Sequence, residues 1–300
     1  MKRRDFLKYS LGFITLAGVG TLFKRSLFAS DLLPDLVVVK SGLPDKMFDA
    51  GIKALGGMER FVKKNSKVLI KPNIGWNVDP ERAANTNPVL VGRIIEHCFK
   101  AGAKEVIVFD HTCNYWKDCY TNSGIEYSVK KAGGKIIPAD RESLYQQIEI
   151  KDAQFLRYVK VHEYALEADV FINVPVLKHH GSALFTAGIK NLMGIVWDRG
   201  IWHAKDLHGC IAEFPLWRKP DLTVIDAYRV MFKNGPRGVS LQDIREERLQ
   251  ILSTDIVAAD SLSSKVLGYE RTRVPYLVKA HSLGYGRMDI ENLFVKEIIL

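Results

Sequence analysis

The sequence has few cysteines and lacks the short motifs that would assign a chemistry directly. Its 300 residues include four cysteines and no CxxC pair. This argues against a disulfide-dense scaffold, a zinc ribbon and a self-ligated ferredoxin-type cluster. The glycine-rich fingerprint of dinucleotide-binding folds, the phosphate-binding loop of nucleotide triphosphatases and the serine elbow of α/β-hydrolases are also absent.

The chain also lacks the basic stripe of a nucleic-acid-binding protein. The net charge is +9, but residues 1–30 hold six basic residues against one aspartate, which leaves +4 over the other 270 residues. No basic segment with interleaved aromatic residues occurs, so we expect no nucleic-acid partner. The 47% hydrophobic and 26% charged content is that of a globular protein with a sizeable core.

Residues 1–30 have the three parts of an export signal: a charged start, an apolar run at 10–23 and a polar end. The run has 14 residues, whereas a membrane span needs about 20. Arg3 and Arg4, followed by Phe6 and Leu7, resemble the twin-arginine signal of bacteria. The resemblance implies the twin-arginine translocase as a partner and a periplasmic location.

Two questions about the exported form stay open. Leu27 is large for the position two before Ala29, so an uncleaved signal that tethers the protein to the membrane, or associates with it transiently, is the alternative. Twin-arginine export carries folded proteins, commonly with a cofactor already inserted, into an oxidising compartment. A disulfide between Cys113 and Cys119 is therefore a further hypothesis.

The remainder of the chain alternates between strand and helix patterns. Helical periodicity occurs at 88–100, 120–132 and 258–267, between short β-branched segments at 36–39, 67–70, 105–109, 135–137, 170–174, 222–225 and 251–253. The alternation predicts an α/β fold over residues 31–300, with a mainly parallel sheet and helices on both faces. It forms one domain or two closely packed lobes.

Polar residues follow five of these predicted strands. Lys71, Asp110, Lys178, Asp226 and Asp255 come at or just after the strand ends. Ligands of open α/β sheets bind beyond the carboxyl ends of the strands, so we expect one shared site for a small-molecule ligand. Because neighbouring side chains of a strand point to opposite faces, His179 and His180 cannot both face that ligand if the strand continues.

The site prediction assigns three overlapping roles. Lys178, His179, Lys190 and Asp110 are the catalytic candidates. Candidates for binding a cofactor or anionic groups are Lys71, Asn73, Thr86, Lys190 and Asn191. Candidates for a transition metal (nickel, zinc or iron) are His179, His180, His203, His208 and Asp226. Ordinary hydrogen bonding is the alternative for most of the histidines. For Lys190 the alternatives are anion binding, covalent anchoring of a cofactor and simple solvation.

Several motifs together resemble the family of domain-of-unknown-function 362 proteins. They lie, in family order, at 68–73, 86–88, 174–179, 186–194, 221–226, 234–238, 254–255, 259–260 and 267–268. Some members of that family carry ferredoxin-type iron–sulfur modules, which this chain lacks. A weaker likeness is to the nickel-pincer lactate racemase family, in which a lysine carries the cofactor and a histidine binds nickel. That likeness implies such roles for Lys190 and for His179 or His180.

These observations lead to three functional hypotheses. The first is an exported metal- or cofactor-dependent enzyme that carries out redox or proton-transfer chemistry on a small polar substrate. The second is a non-catalytic ligand-binding or accessory protein for exported redox enzymes. The third is a metal-free hydrolase or transferase.

Overall fold

The computed structural model describes residues 32–300, so the signal predicted at 1–30 lies outside the described part. Within 32–300, no helix combines the length and the apolar character needed to cross a membrane. Residues 34–300 pack as one compact unit rather than as two lobes.

A ten-stranded sheet forms the centre of the described chain. Its strands are β1 (Leu36–Lys40), β2 (Lys67–Pro72), β3 (Glu105–Val108), β4 (Lys135–Ile136), β7 (Val170–Val174), β8 (Val176–His180), β9 (Leu184–Thr186), β10 (Leu222–Met231), β11 (Ile244–Ser253) and β12 (Val295–Ile299). The order is β12-β1-β11-β10-β7-β2-β3-β4, with β8 beside β10 and β9 beside β8. Strands β5 (Tyr145–Glu149) and β6 (Tyr158–His162) form a separate antiparallel pair.

Most strand pairs in the sheet are parallel. The parallel pairs join β12 to β1, β10 to β7 and β8, β7 to β2, β2 to β3 and β3 to β4. Antiparallel pairing occurs where β11 meets β1 and β10, and where β8 meets β9. The predicted α/β class with a mainly parallel sheet is therefore confirmed.

Two hydrophobic cores lie on opposite faces of the sheet, because successive residues of a strand point to opposite sides. Leu36 and Val38 of β1 belong to one core, and Val37 and Val39 belong to the other. The helices that cover the two faces are α1 (Pro44–Ala54), α2 (Pro88–Lys100), α3 (Trp116–Asn122), α4 (Ile125–Lys131), α5 (Glu163–Glu167), α6 (Gly188–Asn191), α7 (Gly200–Ala204), α8 (Leu207–Glu213), α9 (Ile256–Val266) and α10 (Pro275–Ser282).

Helix α2 has the predicted bounds because its start is encoded locally. The Asn87 side chain accepts the Val89 N–H at 3.0 Å, and Pro88 stands at the first helical position, where no N–H is needed. The helix predicted at 120–132 is instead two short helices. Gly124, with φ +72°, separates α3 from α4 because a left-handed residue cannot continue a helix.

Two of the five residues predicted at strand ends of one sheet edge do not lie there, although the predicted end of β11 at Ser253 is correct. Strand β10 does not end before Asp226 but continues to Met231, so Asp226 lies inside the strand. Strand β11 runs against its neighbours, and Ser253 at its end pairs with Thr223 near the start of β10. Asp255 therefore lies at the opposite edge of the sheet, where its carboxylate caps α9.

Candidate functional site

A cavity of about 300 Å³ opens where β2, β3 and β8 end. It is bordered by α6, by the turn that follows α6 and by the residues around α7. Its charged and imidazole side chains are Lys71, Lys178, Lys190, Arg199, Asp110, His111, His180 and His203. In the described part of the chain, four cationic side chains thus share the cavity with one carboxylate.

Lys71 and Asp110 form an ion pair at one wall of the cavity. The Lys71 Nζ lies 2.9 Å from Asp110 Oδ1, and the two side chains are 1% and 3% exposed. The other carboxylate oxygen, Oδ2, accepts the Ile74 N–H at 2.6 Å, which holds the loop after β2 against the loop after β3. Burial lowers the pKa of Lys71, while the Asp110 carboxylate opposes that shift.

An asparagine network connects this pair to the centre of the cavity. The Asn191 Oδ1 accepts hydrogen bonds from Lys71 Nζ at 2.9 Å and from Asn73 Nδ2 at 3.1 Å. The Asn191 Nδ2 donates to the Lys71 carbonyl and to Asn173 Oδ1. The Asn73 Oδ1 accepts a hydrogen bond from Lys178 Nζ at 3.1 Å. Residues from β2, β7, β8 and α6 are thereby held in one arrangement.

Lys178 and Lys190 are buried, and within residues 32–300 neither has a carboxylate partner. Besides Asn73, the Lys178 ammonium donates to the Ala84 carbonyl oxygen. Among residues 32–300, the hydrogen-bond partner of Lys190 Nζ is the Met193 sulfur, at 3.4 Å. Burial lowers the pKa of Lys178 to about 7 and that of Lys190 to about 8, helped in both by the charge of neighbouring cations.

Arg199 closes another side of the cavity. Its guanidinium donates to the carbonyl oxygens of His111 and Thr112, each at 2.8 Å, and lies 3.7 Å from the Cys113 sulfur. The four cysteines are free: Cys113 is exposed and Cys119 is buried. The disulfide hypothesised between these two is therefore not formed in this structure.

The five candidate metal ligands do not come together. His180 and His203 line the cavity, whereas His179, His208 and Asp226 do not. The His179 Nδ1 accepts the Gly235 N–H at 3.1 Å, and the His208 ring stacks on Tyr276. Residues 32–300 contain no group of three or more His, Cys, Asp or Glu side chains placed to hold a metal ion. Metal binding stays a prediction.

Asp226 and Thr86 stabilise the loop beside the cavity without lining the cavity. The Asp226 carboxylate accepts the backbone N–H groups of Asn87 and Tyr228, and burial raises its pKa to about 6. The Thr86 hydroxyl donates to the Val174 carbonyl oxygen and accepts the Asn73 N–H at 2.8 Å. Both residues therefore fix the loop that presents Asn73 and do not line the cavity.

Several residues of the site are absent from the sequence prediction. His111 directly follows Asp110, so the strand-end rule was sufficient to find it. Arg199 and Cys113 carry no comparable signal, whereas Gly194 is the last residue of the motif at 186–194. Gly194 is required because a Cβ there would overlap Asp110 Oδ1 and lie 2.5 Å from Lys71 Nζ.

Comparison with known proteins places these residues in a family. The model of the domain of unknown function DUF362 matches residues 68–265, which include all the residues that line the cavity. The chain belongs to the DUF362 family. The family predicted from the motifs is thus confirmed.

Two known proteins are similar to this DUF362 protein. The thylakoid-associated protein sll1697 of Synechocystis sp. is 28% identical over 251 residues, which are 81% of this chain and 76% of that protein. The lactate racemase apoprotein of Thermoanaerobacterium thermosaccharolyticum superposes with a TM-score of 0.47 and 12% identity. The superposition covers 77% of this chain and 56% of that one.

Proposed function

We propose that the protein binds a small molecule with two or more anionic groups in this cavity and acts on it by proton transfer. The observation that carries the proposal is the pair of buried lysines, Lys178 and Lys190, which face one cavity without a carboxylate partner among residues 32–300. A phosphate or carboxylate group would supply the missing negative charge.

The energetics favour an anion over other ligands. A buried ammonium group without a counter-ion costs several kcal/mol, and a bound anion offsets that cost. Among residues 32–300, four cationic side chains line the cavity, Lys71, Lys178, Lys190 and Arg199, against the one carboxylate of Asp110. Since the cavity holds about 300 Å³, the proposed ligand is of metabolite size.

Proton transfer is the reaction type that these lysines suit. A general acid or base is most effective when its pKa lies near the working pH, and the pKa of Lys178 is lowered to about 7. Asn73 and Ala84 fix the position of its amine. Lys178 is therefore the proposed proton donor or acceptor, and Lys71, Lys190 and Arg199 are the proposed anion-binding residues.

A divalent metal fits this cavity poorly. His111, His180 and His203 all line the cavity, but within residues 32–300 no three His, Cys, Asp or Glu side chains are placed to hold one metal ion. The surrounding cations repel a metal ion. The proposed chemistry accordingly rests on the side chains of the protein.

Calorimetric titration of the purified protein with pyrophosphate tests the binding proposal. Lys190→Ala and Arg199→Ala each remove one charged hydrogen-bond donor and should weaken binding about 10- to 100-fold. Lys100→Ala is the matched control, because Lys100 is exposed at the end of α2 and should leave the affinity unchanged. Equal affinities for wild type, Lys190→Ala and Arg199→Ala would refute the proposed site.

A carrier or accessory protein that holds the anion unchanged is the alternative function. Deuterium exchange at the carbon next to the carbonyl of 2-oxoglutarate, followed by NMR, separates the two. The enzyme proposal expects exchange that is lost in Lys178→Met. Tight binding without exchange favours the carrier.

We further propose that the protein is exported through the twin-arginine route to the periplasm, with an uncleaved, membrane-tethered form as the alternative. The motif at Arg3 and Arg4 supports export, and the thylakoid-associated relative supports a membrane-associated or exported protein. Replacing both arginines by lysine should retain the protein in the cytoplasm on cell fractionation. Unchanged periplasmic recovery would refute the route.

A further inference from the structure

The three lysines that line the cavity differ in what holds their amines. Lys71 is paired with Asp110 and Asn191. Lys178 donates hydrogen bonds to two oxygen atoms, Asn73 Oδ1 and the Ala84 carbonyl oxygen. Within residues 32–300, the Lys190 amine has one hydrogen-bond partner, the thioether sulfur of Met193, which is a weak acceptor, although Lys190 is only 8% exposed. Its nitrogen is therefore the one least committed to hydrogen bonds with the protein.

The backbone around Lys190 is held firmly. The buried Asp260 carboxylate accepts the N–H groups of Gly188 and Ile189 at 2.6 and 3.0 Å, which fixes the first turn of α6. The following residue, Asn191, is held by its own hydrogen-bond network. The absence of a side chain at Gly188 allows the Asp260 carboxylate to approach the backbone, since a Cβ at Gly188 would lie 2.8 Å from Asp260 Oδ1. The amine thus projects from a rigid support into the cavity.

We propose that Lys190 is a nucleophile that forms an imine with the carbonyl carbon of an anionic aldehyde or keto acid bound in the cavity. This inference rests on the proposed anion-binding function and names its substrate class. The neutral amine attacks the carbonyl carbon to form a C–N bond. The carbonyl oxygen then takes up the two protons that the amine loses and leaves as water, with no oxidation or reduction.

The surroundings suit each part of this reaction. Burial, followed by the charges of Arg199 and Lys71, lowers the pKa of Lys190 to about 8, so part of the amine is neutral and nucleophilic near neutral pH. Lys71, Lys178 and Arg199 line the same cavity and are available for the carboxylate or phosphate of the substrate. A carbonyl compound without an anionic group lacks those contacts.

Reductive trapping on the full-length protein tests the inference. Glyoxylate, a small anionic aldehyde, is added at pH 7 with cyanoborohydride, and the modified lysine is mapped by peptide mass spectrometry. We expect Lys190 to be the principal site, modified about tenfold or more faster by glyoxylate than by the neutral glycolaldehyde, because the cationic cavity concentrates anions. Excess pyrophosphate should suppress the modification.

Lys190→Arg keeps the charge but removes the nucleophilic amine. The variant should retain pyrophosphate binding within a few-fold and lose the trapped adduct, whereas Lys100→Ala should keep both. Pyrophosphate binding by wild type without a Lys190 adduct would overturn the imine proposal and leave the anion site standing. Modification spread over exposed lysines, with no preference for Lys190, would overturn it too. Absence of pyrophosphate binding would instead refute the proposed function itself.

Discussion

Lys71 Nζ lies 2.9 Å from Asp110 Oδ1, and within residues 32–300 this carboxylate is the only one that lines the cavity. The carboxylate offsets one of the four positive charges that line the cavity. Asp110 therefore has two effects. It stabilises a buried ammonium group in the empty protein, and it limits the positive charge that an anion meets.

Removal of this carboxylate charge should separate the two effects. Asp110→Asn leaves Lys71 buried without a counter-ion and should lower the free energy of unfolding by about 3–5 kcal/mol in urea titrations. Pyrophosphate should bind the variant more tightly than the wild type, because the net charge of the cavity rises by one. Asp152→Asn, at an exposed position, should change stability by no more than about 0.5 kcal/mol. Similar stabilities for the two variants would contradict this account.

Gly194 offers a steric test of the same wall. Gly194→Ala places a methyl group against Asp110 and Lys71, so it should cost about 1–3 kcal/mol of unfolding free energy and weaken pyrophosphate binding. Gly181→Ala is the matched control, because a Cβ at Gly181 would meet no atom of residues 32–300 within 4 Å apart from its chain neighbours. Its effect should stay within about 1 kcal/mol. Equal effects of the two substitutions would show that the wall is not closely packed.

The buried lysines predict an unusual dependence of stability on pH. The pKa of Lys178 is about 7 in the folded protein, below its ordinary value, so the unfolded chain binds the extra proton at higher pH. Stability therefore rises as pH increases from about 7 towards the ordinary lysine pKa, by up to about 1.4 kcal/mol per pH unit. Below pH 7 both states are protonated, and this contribution becomes constant.

Comparison with Lys178→Met isolates that contribution from other titrating groups. Between pH 7 and pH 9 the free energy of unfolding of the wild type should rise by about 2 kcal/mol relative to the variant. Pyrophosphate should reduce the difference, since a bound anion stabilises the charged lysine. A stability difference that is constant over this range would contradict the lowered pKa.

Thiol titration checks the state of the cysteines. Cys113 is exposed, whereas Cys98, Cys119 and Cys210 are buried. The native protein should therefore react with one equivalent of an aromatic disulfide reagent, and Cys113→Ser should react with none. Unfolding without reductant should release four thiols. Two thiols under those conditions, in protein recovered from the periplasm, would reveal the Cys113–Cys119 disulfide that this structure lacks.

The sequence alone determined the features that depend on neighbouring residues. Short β-branched segments, which alternate with helical patterns, located most strands. Asn87 with Pro88 set the start of α2. The strand-end rule found Lys71, Asp110 and Lys178. The two-residue period of a strand also accounts for His180 facing the cavity while His179 does not. These signals are local, so they can be recognised without knowledge of the fold.

Only the tertiary structure decided the direction of β11, the length of β10 and the arrival of Arg199 beside His111. A strand pattern reads the same in either direction, and its partners are chosen by hydrogen bonds and packing with distant segments. For that reason Asp255 lies at the far edge and Asp226 lies inside a strand, although both resemble strand-end ligands in sequence. The excess of cations over carboxylates in the cavity likewise arises where separate segments of the chain meet. When lysines from different segments are buried next to each other, their charges and lowered pKa values create a site for an anion.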